Sequence, residues 1–188
     1  MSKQRKQSAK PSNKGSIRII AGLHRGRKLP VLMAEGLRPT TDRVKETVFN
    51  WLMPFIQDSN CLDCFAGSGG LGFEALSRGA SHVSLIELNK AAALQLKENQ
   101  QLLKTDNITI INSDAISFIK SNTQKFDVVF LDPPFRKGFV EQTTQLLNEN
   151  SLADNALIYI EMESEQNDQK LPLNWKLLKE KVAGQVIY

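Results

Sequence analysis

Asp132-Pro133-Pro134-Phe135 sets a carboxylate, two prolines and an aromatic ring in consecutive positions after an apolar run. Proline holds its own backbone rigid, so the Asp132 carboxylate and the Pro133 carbonyl would form a preorganised pair of acceptors. An exocyclic base amine is a poor nucleophile because its lone pair is delocalised into the ring. Two acceptors on its two hydrogens would draw the nitrogen toward tetrahedral geometry and free that lone pair. Phe135 could stack on a base taken out of its helix or splayed from a loop. These four residues, Asp132, Pro133, Pro134 and Phe135, are the candidate catalytic set. The same tetrapeptide could instead be a rigid strand-to-helix turn.

A second stretch, Leu62-Asp63-Cys64-Phe65-Ala66-Gly67-Ser68-Gly69-Gly70-Leu71-Gly72, reads as a buried strand end, a glycine-rich turn and a helix start. Taken alone, its G-x-G-x-x-G spacing can equally mark a dinucleotide site or an ordinary tight turn. No Lys-Ser/Thr follows the glycines, which excludes a P-loop. Three further acids end or follow later apolar runs: Glu87 before Leu88-Asn89, Asp114 before Ala115, and Asp132. A carboxylate in the position of Glu87 can accept both hydroxyls of a ribose, and Asp114 suits the exocyclic amine of adenine. Each acid also has a plainer reading as a helix N-cap or solvated loop residue. A dinucleotide phosphate on the helix N-terminus would be poorly matched to Asp63 just before it. A ligand with a positive sulfonium and ammonium and no phosphate fits better, which points to S-adenosylmethionine. Its contacts would be Asp63, Phe65, Ala66, Gly67, Ser68 and Gly69, then Glu87, Leu88 and Asn89, then Asp114 and Ala115.

The elements that must position these groups follow from periodicity. Strands are expected at 60–65, 82–87, 107–112, 126–131 and 155–161, with helices near 69–78, 89–104, 114–121 and 138–149. Such alternation predicts an α/β fold, a mostly parallel sheet covered by helices on both faces, with ligands at the carboxyl ends of its strands. Before it, Arg38-Pro39-Thr40-Thr41-Asp42 leads into a helix with Val44, Val48, Trp51 and Leu52 on one face and Pro54 as its breaker, and Arg38 to Thr41 beside the ligand pocket. After Trp175 the tail reads as a closing antiparallel hairpin.

Charge divides the chain unequally. Residues 1–45 carry twelve Lys/Arg against two Asp/Glu, whereas the other 143 residues carry twelve against eighteen. A basic segment beside an acidic body suggests a polyanionic partner, most simply nucleic acid. Residues 1–15 are too polar to fold alone and are expected to be a disordered basic tail, which could also be merely solubilising. Residues 16–36 read as a basic β-hairpin built from 17–21 and 27–31, with Arg18, Arg25, Arg27 and Lys28 set to contact phosphates. A small edge hairpin packed on the core is the alternative. The domain proper spans 37–188. On the RNA-contact reading, removal of residues 1–35 is expected to spare cofactor binding and impair action on RNA.

No apolar run reaches membrane-spanning length and no secretory signal core is present, so a cytoplasmic protein without membrane contact is expected. Cys61 and Cys64 lie on the first strand of the sheet, where buried thiols are a better reading than a metal or redox pair; no metal is expected.

The motifs Leu62 to Gly69, Glu87, Asp114 and Asp132 to Phe135 resemble those of class I S-adenosylmethionine-dependent methyltransferases acting on amino groups. More closely, Arg18-Ile19-Ile20-Ala21-Gly22, Arg25-Gly26-Arg27-Lys28-Leu29, Arg38-Pro39-Thr40-Thr41-Asp42-Arg43-Val44-Lys45-Glu46, Phe49-Asn50-Trp51-Leu52 and Glu180-Lys181-Val182-Ala183-Gly184-Gln185-Val186 resemble the bacterial RsmD family. The resemblance covers residues 17–188. It implies a Rossmann-like fold with a seven-stranded sheet, and methylation of the N2 amine of guanine 966 in 16S ribosomal RNA within the small ribosomal subunit. It also implies S-adenosylmethionine as methyl donor, Arg38, Thr41 and Arg43 among the substrate contacts together with the hairpin and Phe135, and a monomeric enzyme. Two other functions remain at this point: an adenine-N6 nucleic-acid methyltransferase, for which 188 residues leave no room for a recognition domain, and a non-catalytic ribosome assembly factor, against which the intact Asp132 to Phe135 speaks.

Overall fold

In the computed structural model the chain is described over residues 14–32, 40–134, 138–164 and 170–188. Arg38, Phe135 and nearly all of the basic tail therefore lie outside the described residues. In chain order the elements are β1 (Lys14–Arg18), β2 (Lys28–Leu32), α1 (Asp42–Ile56), β3 (Asn60–Asp63), α2 (Gly70–Ser77), β4 (His82–Glu87), α3 (Lys90–Leu103) and β5 (Ile108–Asn112). They continue with α4 (Ala115–Ser121), β6 (Phe126–Leu131), α5 (Phe139–Asn150), β7 (Leu152–Ile160), β8 (Met162–Glu163), β9 (Val182–Ala183) and β10 (Val186–Ile187).

Five strands form a parallel sheet in the order β5-β4-β3-β6-β7. Their near-continuous apolar runs suit strands covered on both faces. Alternate residues go to opposite sides. Cys61, Val83, Leu85, Val128 and Phe130 join one core with the β1–β2 hairpin, α1, α2 and α3, while Leu62, Ile86, Val129 and Leu131 join a second core with α4 and α5. The chain leaves β3 toward one edge and later returns beside it as β6. The loops after β3 and β6 thus flank the switch point of the sheet, where an open α/β fold leaves a crevice. No helix among the described residues is long and apolar enough to cross a membrane.

Among the described residues the sheet holds five strands, not the seven implied by the resemblance. Beyond Ile160 the Glu161 N–H still donates to the Leu131 carbonyl at 2.8 Å. The chain then leaves the ladder, and β8 pairs antiparallel with β10, which pairs with β9, as a separate three-stranded sheet. The closing hairpin is present, but its regular strands are only the short β9 and β10, turned at Gly184 with φ +63°. Likewise, α1 runs through Pro54 to Ile56. The proline sits in the last turn, where a helix loses only one exposed hydrogen bond to it.

The N-terminal hairpin exists, with pairs from Lys14↔Leu32 to Arg18↔Lys28 and a turn closed by Gly26 N–H donating to the Ile19 carbonyl at 2.8 Å. It is built into the main core. Ile17, Ile19, Leu29 and Val31 are all buried there. Its tip is held by α2: the buried Glu74 carboxylate accepts from the amides of Ile20 (2.8 Å) and Ala21 (3.1 Å) and from Arg78 Nε (2.7 Å). Ser77 Oγ accepts from the His24 amide and donates to the Ala21 carbonyl. On the other side, the fully buried Asn99 of α3 donates to the Pro30 carbonyl at 3.0 Å. Lys45 of α1 is buried as well; its Nζ donates to the Arg18 carbonyl at 2.6 Å and faces Asp42 at 3.4 Å. Removing residues 1–35 would strip apolar area from this core and leave Glu74 without two donors, so the truncation would damage the fold as a whole.

Glu74→Ala should destabilise the protein by roughly 2–4 kcal/mol, because it leaves the partly buried Arg78 and two partly buried amides without their acceptor. Gly22→Ala should also be costly. Gly22 holds φ +80° against the Ser77 carbonyl, and a Cβ there would overlap that oxygen. Chemical denaturation of both variants would check this, with midpoints unchanged from the parent counting against the anchor.

Candidate active site

The glycine-rich turn between β3 and α2 has few amides left to offer a ligand. Asp63, at the end of β3 and 2% exposed, accepts from the backbone amides of Phe65 and Gly72. Glu87, at the end of β4, accepts from the Gly67 amide at 2.8 Å through Oε2 and from the Asn89 amide at 2.6 Å through Oε1. The Ala66 amide donates to the Ile86 carbonyl, and the Gly69 amide to the Ala66 carbonyl. A phosphate-binding glycine turn keeps such amides free for the anion. Here two carboxylates hold them, which is a poor setting for a phosphate and a good one for a cation.

Burial pushes the Asp63 carboxyl up to about 7; the Phe65 and Gly72 amides work against that rise, and the charges of Glu87 and Glu161 add to it. Close packing accounts for the glycine at 72, where a Cβ would run into the Leu85 side chain and sit 3.4 Å from Asp63 Oδ2. Gly69 caps α2 at φ +79°. Asp63 thus lies beneath the turn and shapes it, rather than standing open in the crevice.

The remaining sequence-predicted cofactor residues line the same strand ends. Phe65 is half-buried with its ring 5.7 Å from that of Phe139, Ala66 and Ala115 are buried, and Ser68 is half-buried. Leu88 stands exposed beside Glu87. Asn89 caps α3, its Oδ1 accepting from Ala91 and Ala92. Asn112 Nδ2 donates to the carbonyls of Glu87 and Leu88 at 2.8 and 2.9 Å and so fixes the loop that carries them. Asp114 caps α4 through Oδ2, which accepts from the Ser117 amide at 2.9 Å and hydroxyl at 3.0 Å. Its Oδ1 makes no hydrogen bond within the described chain, so the capping and ligand readings are compatible.

Asp132 follows β6, directly across the switch point: β3 and β6 are paired, Asp63 opposite Phe130. Pro133 is buried and Pro134 exposed. Beside them stand Thr40, within the Arg38 to Thr41 stretch expected at the pocket, and two residues that reading the sequence missed, Glu161 and Tyr159. Glu161, 7% exposed, follows β7 next to Asp132, and the Thr40 side chain lies within hydrogen-bonding reach of both carboxyl groups. Tyr159 donates its hydroxyl to Glu161 Oε1 at 2.8 Å. Burial, then the charges of Glu161 and Asp63, raise the Asp132 carboxyl well above its usual range, and burial raises Glu161 too. The available signal for Glu161 was the one used for Glu87 and Asp132, an acid closing an apolar strand.

The sequence-predicted RNA contacts divide. Arg18 is tied to Asp42 at 2.7 Å, and Arg27 donates to the Leu102 carbonyl at 2.8 Å. Thr41 caps α1, accepting from the Val44 amide at 3.4 Å. Arg25, Lys28 and Arg43 are exposed and make no side-chain hydrogen bond or ion pair among the described residues. Cys61 and Cys64 are free, buried thiols, and burial pushes Cys61 up to about 12.

The family model described as conserved hypothetical protein 95 matches residues 17–188. The chain is 56% identical to ribosomal RNA small subunit methyltransferase D of Escherichia coli (strain K12), over 95% of this chain and 92% of that one. It is 58% identical to the protein of the same name from Haemophilus influenzae, over 95% and 94%. A solved Escherichia coli structure described as a candidate methyltransferase, yhhF, superposes with a TM-score of 0.86 at 53% identity, covering 93% of this chain and 96% of that chain.

Asp63 ties this geometry to pH. A carboxyl at about 7 in the fold, against an ordinary value of 3.8, binds its proton more tightly folded than unfolded. Its contribution to stability is therefore complete below 3.8 and is lost as pH rises toward about 7. Unfolding free energies of the parent and of Asp63→Asn, measured from pH 4 to 7 without ligand, should show a shallower fall with pH in the variant. Parallel curves would remove Asp63 as their source.

Proposed function

We infer the activity from one premise: the chain belongs to the conserved hypothetical protein 95 family. It is a methyltransferase that uses S-adenosylmethionine and acts on small-subunit ribosomal RNA. Within that activity the target is the exocyclic N2 amine of a guanine, the atom implied by the resemblance of the N- and C-terminal motifs to the RsmD family. The observation that carries this reading is the meeting of two loops at the switch point of the sheet. One is a glycine turn whose amides are held by Asp63 and Glu87; the other is Asp132-Pro133.

The donor set fits the methyl donor, which has a ribose, an adenine amine and cationic centres but no phosphate. Glu87 would accept from the ribose hydroxyls with the lone pairs its two amides leave free, and Asp114 Oδ1 from the adenine amine. Leu88 would cover the adenine ring. When bound, the cofactor supplies an electrophilic methyl group on a sulfonium. The Asp132 carboxylate and the Pro133 carbonyl would hold the two hydrogens of the target amine and aim its lone pair. When the methyl passes from sulfur to nitrogen, with the C–S electron pair left on a neutral thioether, Asp132 would take the proton the amine gives up, a role that suits a carboxyl with raised proton affinity. Phe135 retains the stacking role proposed from its position in the motif.

Arg25, Lys28 and Arg43 are the exposed cations proposed to meet RNA phosphates. Arg18 and Arg27 would instead hold the hairpin in place. The assembled small subunit is proposed as the substrate, and a monomer in the cytoplasm as the working form.

Asp132→Ala should lower kcat by at least about 10³ while leaving the Kd for the cofactor within a few-fold. Near-normal turnover would remove Asp132 from the mechanism. Replacing Arg25 and Lys28 together with Gln should weaken RNA binding and reduce the slope of log K against log salt by about 1–2. An unchanged slope would exclude them as phosphate contacts.

A further inference from the structure

We infer that Glu161 reads the target base, accepting the N1–H of guanine while Asp132 and the Pro133 carbonyl take the two N2 hydrogens. The inference rests on the activity proposed above and names the residue that would give it its base preference. Glu161 is fixed beside Asp132 from two sides. Its N–H donates to the Leu131 carbonyl at 2.8 Å, and β6 and β7 are in register up to Leu131↔Ile160. Its carboxyl is held by Tyr159, whose ring packs edge-on between Phe130 and Tyr188 at 6.4 and 6.1 Å.

Donors and acceptors around this pair do not balance. Two carboxylates offer four oxygens, while the hydroxyls of Thr40 and Tyr159 have one hydrogen each to give. Thr40 reaches both carboxyl groups but can donate to only one of them at a time. Asp132 is only half-buried, so the acceptor capacity left over is open to a ligand, and a base edge rich in N–H is the partner that matches it. A metal ion would also answer the surplus, but no group of His, Cys, Asp and Glu among the described residues is arranged to hold one. Of the bases, guanine presents three hydrogens in a row, one on N1 and two on N2. Adenine and cytosine place an acceptor next to their amine, which would face the Glu161 oxygen lone pair to lone pair.

The test compares RNA substrates that differ only at the target base, with labelled S-adenosylmethionine as donor. 2-Aminopurine keeps the N2 amine but has a bare acceptor at N1. The parent enzyme should prefer guanine on the order of 100-fold or more in kcat/KM. Glu161→Gln carries an amide N–H that can donate to that bare nitrogen, so its preference should shrink to within a few-fold or reverse. An unchanged ratio in Glu161→Gln, with both substrates slowed alike, would overturn the inference.

A second measurement needs only the parent enzyme and is independent of how the variants fold. RNA carrying 1-methylguanine at the target keeps the amine and lacks the N1–H, and should react at least tenfold more slowly than guanine; equal rates would overturn the inference. Failure of the parent to methylate guanine at all would overturn the proposed activity, and this inference with it. That result is distinct from active turnover with an unchanged base ratio.

Discussion

The buried Asp63 carboxylate, accepting from the amides of Phe65 and Gly72, is the constraint from which the rest of the site follows. A carboxylate with so little water around it must take its hydrogen bonds from the backbone nearby. Doing so draws the turn after β3 down onto the sheet end. Glu87 repeats the pattern from β4 by holding Gly67. With its amides turned inward onto two acids, the turn gains negative rather than positive character. That distinguishes it from the dinucleotide turn that shares its glycine spacing, and the distinction lies in hydrogen bonding alone.

A second acid, Glu74, does for the N-terminal hairpin what Asp63 does for the turn. It is fully buried, and it gathers two hairpin amides and Arg78, whose guanidinium also lies 5.0 Å over the Phe49 ring. The hairpin covers one face of the core while it presents Arg25 and Lys28 outward. With Arg25 and Lys28 proposed to meet RNA, structure and recognition would be combined in one element, and the basic residues within it would have different tasks. Arg18 and Arg27 face protein acceptors, and their charge alone does not distinguish them from their exposed neighbours.

Much of the architecture was legible because the sheet is parallel and buried. His82–Glu87 and Phe126–Leu131 coincide with the expected strands, since each is an apolar run bounded by polar residues. The acids at the strand ends were legible for the same reason. Glu161 was not picked out, although it closes the apolar run of Leu157 to Ile160, because no glycine or proline follows it to mark a loop. Thr41 caps α1 through a local bond to the Val44 amide, whereas only tertiary contact shows that Thr40, in the stretch expected beside the pocket, is the residue that meets Asp132 and Glu161. Lys45 breaks the apolar face of α1 and is buried solely because the Arg18 carbonyl and Asp42 meet its ammonium. The five strands expected from periodicity match the five of the parallel sheet among the described residues; the seven implied by the resemblance do not, because the chain leaves the ladder beyond Ile160 and β8 pairs with β10 instead.

In the proposed function these acids assemble a site that transfers methyl groups to the N2 amine of guanine in small-subunit ribosomal RNA. The most direct measurement offers labelled S-adenosylmethionine with naked 16S RNA, assembled small subunits and duplex DNA in parallel, then digests each product to nucleosides. Label should be found in N2-methylguanosine from ribosomal RNA and not in DNA. Label in N6-methyladenine, or RNA bound tightly with no label transferred, would contradict it.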